Sequence, residues 1–242
     1  RELAEFYPPD PDGARPIAYL WARTVRCESP NCGAEIPLMR SFWLCKKANR
    51  RRALRPRVVR TEGRPPEVEF EIFEPDGESE VRGGTVSRAK ATCLCCRMVL
   101  PAERVRAQLR EQRGGADAIF DEEGNRVGGA RMTAVVTLDQ SQAGRSYRLP
   151  TADDYRAVRD AMVRLAAVSG EPLPDGGSQV PDEPTPAGGG AGAGRAFSLQ
   201  SYGMMHWGDL YTGRQRLALS TLCRLTRSAS VPASIAEPLA LA

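Results

Sequence analysis

The chain has 242 residues, enough for one or two domains, and a net charge of only +4. Leu, Ile, Val and Phe together account for 47 residues, which leaves little apolar material for a large core. No apolar run is long enough to form a transmembrane helix, and no secretory signal is present. We therefore expect a cytoplasmic protein with no membrane partner.

The first half of the chain favours strands. β-Branched and aromatic residues predict a strand over residues 17–26 and a return strand over residues 37–45. Over residues 67–72, Glu alternates with apolar side chains, a period of two that is typical of a half-buried strand. A further strand is predicted over residues 85–92. The first and the last of these strands each lead directly into a cysteine.

The second half combines helices and strands. Pro101 predicts the start of a helix that ends before the paired glycines at 114 and 115, and strands are predicted over 132–138 and 146–149. Thr151 is a suitable N-cap for an amphipathic helix because two acidic residues follow in its first turn. Another helix is predicted from about Thr212, with one apolar face formed by Leu217, Thr221 or Leu222, and Leu225.

The seven cysteines give the most specific signal. An odd number of cysteines without an export signal argues against a secreted disulfide framework, and clustered cysteines are typical of metal sites. Cys27 and Cys32 are separated by four residues, and Cys93 and Cys96 by two. Structural zinc takes four ligands from two tight turns. We predict that these four cysteines bind one structural Zn²⁺ in a closed site, which would help a chain with a thin core to fold.

Alternatives to this ligand set remain open. The 60 residues between the two pairs exceed the usual spacing, so the four thiols can also be unliganded. Cys95 can replace Cys96, although a spacing of two residues suits a tight turn better. Cys45 and Cys223 have no partner at ligand spacing and are interpreted as ordinary, semi-buried thiols. His206, the only histidine, is interpreted as a structural residue.

The predicted fold class is α+β, with zinc-ribbon β-hairpins, flanking helices and a long flexible linker rich in Gly and Pro. The linker is inferred because 13 of the 25 residues from 170 to 194 are Gly or Pro. The predicted segments are an N-terminal lead-in (1–16), a zinc-ribbon domain with an inserted hairpin (17–113), a small α/β extension (114–168), the linker (169–196), an aromatic loop with a helix (197–227) and a flexible tail (228–242).

A basic stretch is the candidate surface for contact with DNA phosphates. Residues 36–61 hold nine Arg or Lys and no acid, and Phe42 and Trp43 lie among them. Basic side chains neutralise phosphates without reading base sequence. The predicted contacts are Arg40, Lys46, Lys47, Arg50, Arg51 and Arg52. The alternative is a solvated hairpin whose charge is balanced by the eight acidic residues within 62–80.

Three separated parts of the sequence carry a common pattern. The first is AYLWARTVRC (18–27) with CGAEIPLMRSFWL (32–44), and the second is GTVSR (84–88) with ATCLCC (91–96). The third combines YGM (202–204), WGDL (207–210) and RQ (214–215). Together they resemble the large bacterial and archaeal adenine-specific DNA methylases that carry an internal zinc ribbon.

The resemblance implies methyl transfer from S-adenosylmethionine to N6 of adenine in DNA, chemistry that generally requires the base to be flipped out. In that family the ribbon looks like an insertion in a Rossmann-like methyltransferase. The implied partners are DNA and the remaining methyltransferase domains, in the same or a neighbouring chain. The Asp-Pro-Phe type cofactor motif and the Asn/Asp-Pro-Pro-Tyr catalytic motif do not occur here, so no catalytic or cofactor-binding residue is assigned. Arg97 stands where the family has Gly, and Gly213 where it has Pro.

We therefore expect a zinc-binding segment of an adenine-specific DNA methyltransferase. It would contact DNA or support the catalytic domain, and by itself it would neither bind S-adenosylmethionine nor methylate DNA. The alternative is a stand-alone zinc-ribbon protein that binds nucleic acid without enzymatic activity. A third interpretation is a purely structural interaction module.

Overall fold

The computed structural model describes residues 2–112, 114–138, 144–170, 178–180, 182–188 and 198–228. Within these residues it contains three helices and eleven strands, and all the strand pairs are antiparallel. This mixture fits the predicted α+β class. The helices are α1 (Ala102–Glu111), α2 (Ala152–Ser169) and α3 (Gly213–Ser228). The strands are β1 (Arg15–Arg26), β2 (Glu35–Pro37), β3 (Trp43–Cys45), β4 (Arg52–Val59), β5 (Glu67–Phe73), β6 (Val86–Ser87), β7 (Lys90–Thr92), β8 (Val99–Leu100), β9 (Ala118–Phe120), β10 (Arg126–Leu138) and β11 (Arg145–Arg148).

The largest sheet is built around the long strands β1 and β10. Its order is β11-β10-β1-β2, and β9 also pairs with β10. α2 covers one face, where Val158 packs against Met132 and Val135, and the Tyr155 hydroxyl accepts a hydrogen bond from the Met132 amide at 2.9 Å. Because β1 and β10 pair over eight positions, the predicted segments 17–113 and 114–168 share one sheet.

The strand predictions are less accurate for the residues that form the two smaller sheets, β3-β4-β5 and β6-β7-β8. The predicted strand over 37–45 is wrong as one element, because β2 joins the large sheet while β3 joins β4 and β5. The predicted strand over 85–92 is instead the hairpin β6–β7, whose turn residues Arg88 and Ala89 have positive φ angles. The alternation over 67–72 is confirmed as β5, in which Val68 and Phe70 are buried.

The helices begin close to the positions predicted from the sequence. α1 begins after Pro101 and buries Val105 and Leu109. α2 has the predicted cap, since Thr151 and Asp154 exchange hydrogen bonds in a capping box. In α3, Leu217 and Thr221 are buried as expected. Leu222 and Leu225 are 54% and 40% exposed, so Thr221 rather than Leu222 shares the buried side with Leu217, and Leu225 does not.

The predicted linker is only partly described. Residues 182–188 pack against the aromatic loop, where the buried Thr185 donates from its hydroxyl to the Met204 carbonyl at 2.6 Å. This part of the chain therefore differs from the predicted flexible linker, whose other residues mostly lie outside the described ranges, as does the predicted tail beyond 228. No helix within the described ranges is long and apolar enough to cross a membrane.

Candidate metal centre

Two short turns carry the four predicted ligands. The first cysteine turn (27–34) follows β1 and closes where the Cys27 amide donates to the Ala34 carbonyl at 2.8 Å. The second cysteine turn (93–98) follows β7 and closes in the same way, from the Cys93 amide to the Met98 carbonyl at 2.9 Å. Each turn reverses the chain, so both cysteines of a pair point to the same side.

The structure brings the two turns together despite the long gap between them in sequence. The Cys27 and Cys96 sulfurs are 3.5 Å apart, the Cys32 and Cys93 sulfurs are 3.7 Å apart, and all four lie within 4.8 Å of one another. Sulfurs at about 2.3 Å from a tetrahedral zinc ion would be separated by about 3.8 Å. The four cysteines therefore form a cluster that can hold a metal ion. Three of them are buried and Cys96 is exposed.

Backbone amides point at all four sulfurs. Each Sγ accepts a hydrogen bond from the N–H two positions further along the chain, and the four donors are Ser29, Ala34, Cys95 and Met98. Hydrogen bonds of this kind stabilise a thiolate relative to a thiol. The arrangement suits four anionic ligands on a cation better than it suits four neutral cysteines.

The residue after the second cysteine of each turn has a left-handed backbone. Gly33 has a φ of 62° and Arg97 a φ of 66°. This conformation is easy for glycine and costs energy for a residue with a side chain. The two turns thus share a left-handed residue at this position, although the sequence places Gly in only one of them.

The thiol of Cys96 ionises more readily than those of Cys27 and Cys32. Burial raises the pKa of Cys27 and Cys32, while the Met98 amide lowers the pKa of Cys96 to about 7. Without a bound cation, the two buried thiols therefore favour their neutral form at neutral pH. A metal ion reverses that preference, because ligand thiols release their protons on binding.

The remaining cysteines lie outside the cluster of four. Cys95 is half-buried between the core around the cysteine turns and the core of the β3-β4-β5 sheet, and burial raises its pKa to about 12. The fourth member of the cluster is Cys96, the arrangement favoured by the spacing of two residues. Neither Cys45 nor Cys223 belongs to the group. Cys45 is half-buried as predicted, but Cys223 is exposed, so its predicted partial burial is wrong.

α1 braces the first cysteine turn from outside. The Arg104 guanidinium donates to the Glu28 carboxylate at 2.7–3.1 Å, and Gln108 exchanges hydrogen bonds with the Arg26 backbone. Beneath them, Val105 packs into the apolar core around the cysteines. The cluster therefore joins β1, β7 and α1, which lie far apart along the chain.

The candidate DNA contacts are partly neutralised by the acidic residues that follow them. Lys46 lies 3.4 Å from Glu78, and Arg52 lies 2.6 Å from Glu74. Arg51 donates to the backbone carbonyl of residue 76. Arg40, Lys47 and Arg50 are exposed. For Lys46 and Arg52, which lie against carboxylates, the geometry matches the alternative of a solvated hairpin with balanced charge.

The aromatic loop around His206 is held by its own hydrogen bonds. The Asp209 carboxylate accepts from the amides of Met205 and His206 at 2.8 and 2.9 Å. His206 is exposed, and its Nδ1 lies 3.7 Å from the same carboxylate. This placement agrees with a structural role for the loop.

No protein-family model, curated protein or solved structure matches this chain. The methylase resemblance therefore depends on the three sequence patterns alone. The amide donors and the left-handed Arg97 were not identified from sequence. The short spacing within each cysteine pair points to the amide donors, and the Gly that the resembled family has at the position of Arg97 points to its backbone conformation.

Proposed function

We propose that this chain is the zinc-ribbon segment of an adenine-specific DNA methyltransferase and that its four clustered cysteines bind one structural zinc ion. The observation that carries the proposal is the convergence of Cys27, Cys32, Cys93 and Cys96 from two similar turns. The three methylase-like sequence patterns supply the link to the enzyme family.

Zinc is the metal that best suits this donor set. Four thiolates in a tetrahedral arrangement are typical of zinc or of iron–sulfur sites, and two tight turns that each give two cysteines are typical of structural zinc. With four cysteines as ligands, no position is open for a reactive water. The ion would therefore hold the turns together rather than take part in a reaction.

The role that we propose for this metal centre follows from the elements that it joins, β1, β7 and α1. Binding of zinc by small cysteine sites contributes about 10–16 kcal/mol to folding in model peptides. Such a contribution is large for a chain with a modest apolar content, and it would fix β1, β7 and α1 as a rigid support. We propose that this support contacts DNA or braces the catalytic domain, and that S-adenosylmethionine binds elsewhere in the complete enzyme.

Metal analysis of the purified protein tests the zinc assignment. We expect one zinc per chain in the wild type and a large loss in Cys27→Ser and Cys96→Ser. Cys223→Ser is the matched control, because this exposed cysteine lies outside the cluster, and it should keep its zinc. A wild-type protein without zinc would contradict the assignment.

A stand-alone zinc-ribbon protein that binds nucleic acid is the second candidate. The four-cysteine cluster supports it equally well, because the cluster does not depend on a catalytic domain. Gene context separates the two, since a methylase reading frame on both sides of this segment supports the first. Calorimetry with S-adenosylmethionine should show no binding to the isolated chain, and detectable binding would contradict our assignment of that cofactor to other domains.

A further inference from the structure

A groove lined by arginines lies beside the first cysteine turn. It has a volume of about 480 Å³ and runs between β10 on one side and residues 64–69 on the other. Four guanidinium groups line it, from Arg26, Arg64, Arg126 and Arg131, together with three glutamates. We call this feature the arginine groove.

One ion pair in the arginine groove is already complete. Arg126 binds Glu35 through two hydrogen bonds of 2.6 and 3.0 Å, and both side chains are largely buried. The remaining charged groups are three arginines and the exposed Glu67 and Glu69. They leave a net charge of +1, which one phosphodiester group would balance.

Arg131 is the arginine of the groove whose guanidinium packs against an aromatic ring. It projects from β10, and its guanidinium lies over the Phe70 ring at 5.1 Å from the centroid. Burial lowers its pKa, and within the described part of the chain no carboxylate lies within ion-pair distance of it. A guanidinium that is partly removed from water gains from an anionic hydrogen-bond acceptor.

The groove is positioned by the metal centre. Its outer wall belongs to the loop between β4 and β5, which runs over both cysteine turns. Pro65 of this loop lies beside Gly33, and Arg60 donates to the Cys95 carbonyl at 3.4 Å. A change at the cysteine cluster would therefore displace the wall that carries Arg64.

We propose that the arginine groove binds one phosphate group of the DNA backbone through Arg131, with Arg64 and Arg26 as further donors. This inference rests on the proposed contact with DNA and locates it. It also places the main phosphate contact away from Lys46, Arg51 and Arg52, which already contact the segment 74–80. Glu67 and Glu69 disfavour a second phosphate.

The first test is DNA binding by the zinc-loaded full chain at several salt concentrations. Each phosphate contact contributes about 0.9 to the slope of log K against log salt. We expect Arg131→Gln to reduce the slope by about 0.9, and Arg64→Gln to reduce it by less, because both arginines contact the same phosphate. Arg164→Gln removes the same charge from an exposed position on α2, outside both the groove and the basic stretch, and should leave the slope unchanged. A zinc content equal to that of the wild type shows that each variant folds. Arg64 lies on an exposed loop, where substitution is tolerated.

The second test does not need DNA. Titration of the wild type with inorganic phosphate should shift the NMR signal of the Arg131 Nε–Hε group. Unchanged salt slopes in both groove variants, together with no phosphate-dependent shift at Arg131, would overturn the proposal and leave DNA contact elsewhere. A wild type that shows the shift but binds no DNA would refute the DNA-contact role and the DNA origin of the phosphate.

Discussion

Replacing Arg97 with glycine should stabilise the zinc-bound protein. Arg97 has a φ of 66°, in the left-handed region. That region costs a residue with a side chain about 1–2 kcal/mol, a cost that glycine avoids. Glycine also makes the unfolded chain more flexible, which offsets about 0.4–1 kcal/mol of the gain. The net expected increase in the free energy of unfolding is about 1 kcal/mol.

The first cysteine turn offers the reverse substitution. Gly33 has a φ of 62°, and an added Cβ would lie 3.8 Å from Pro65, an ordinary contact distance. Gly33→Ala therefore introduces the backbone cost without a clash, and it should destabilise the protein by about 1 kcal/mol. Arg97→Ala is the control, because it removes the guanidinium but keeps the backbone strain, and its effect should stay within about 0.5 kcal/mol.

Urea denaturation of the zinc-loaded variants measures these differences. A shift of the midpoint at constant slope reports a change in stability. The reasoning is refuted if Arg97→Gly lowers the midpoint, or if Gly33→Ala leaves it unchanged. Either result would mean that the two cysteine turns do not share the left-handed conformation.

Further predictions concern the cluster, the long sheet and the aromatic loop. Cys95→Ser should keep one zinc per chain in metal analysis, and loss of the metal would place Cys95 among the ligands. Burial acts to raise the pKa of Asp154, but hydrogen bonds from Arg148 at 2.6 and 2.9 Å outweigh it and hold that pKa below its ordinary value. The contribution of the ionised Asp154 to the free energy of unfolding should therefore be complete above about pH 4 and should decrease as the pH falls further. In urea denaturation, the midpoint of Asp154→Asn should fall less over this pH range than the midpoint of the wild type. Gly203→Ala should destabilise the fold by about 2–4 kcal/mol, because φ is 77° and the added Cβ would lie 2.3 Å from the Leu109 carbonyl oxygen. A melting temperature equal to that of the wild type would contradict this clash.

The features that sequence predicted well depend on short-range signals. The capping box of α2 is formed by residues three positions apart, and the period of two in β5 arises within seven residues. The spacing within each cysteine pair likewise encodes a local turn. In these cases the residues that determine the structure are close together in the chain.

The features that sequence missed depend on partners far away in the chain. Residues 37–45 are rich in strand formers, but their two ends join different sheets, which no local pattern records. β1 pairs with β10 across more than a hundred residues. On α3, periodicity gives a stripe, but whether Leu222 is covered depends on which elements pack beside it. Arg97 adopts a conformation that its residue type disfavours, and only the Gly that the resembled family has at this position points to it.

X-ray absorption at the zinc edge is the most direct test of the central claim that two distant cysteine pairs bind one ion. The zinc in the purified chain should be surrounded by four sulfur atoms at about 2.3 Å, with no nitrogen or oxygen neighbour. A shell with fewer sulfurs, or with a light-atom ligand, would contradict the closed four-cysteine centre.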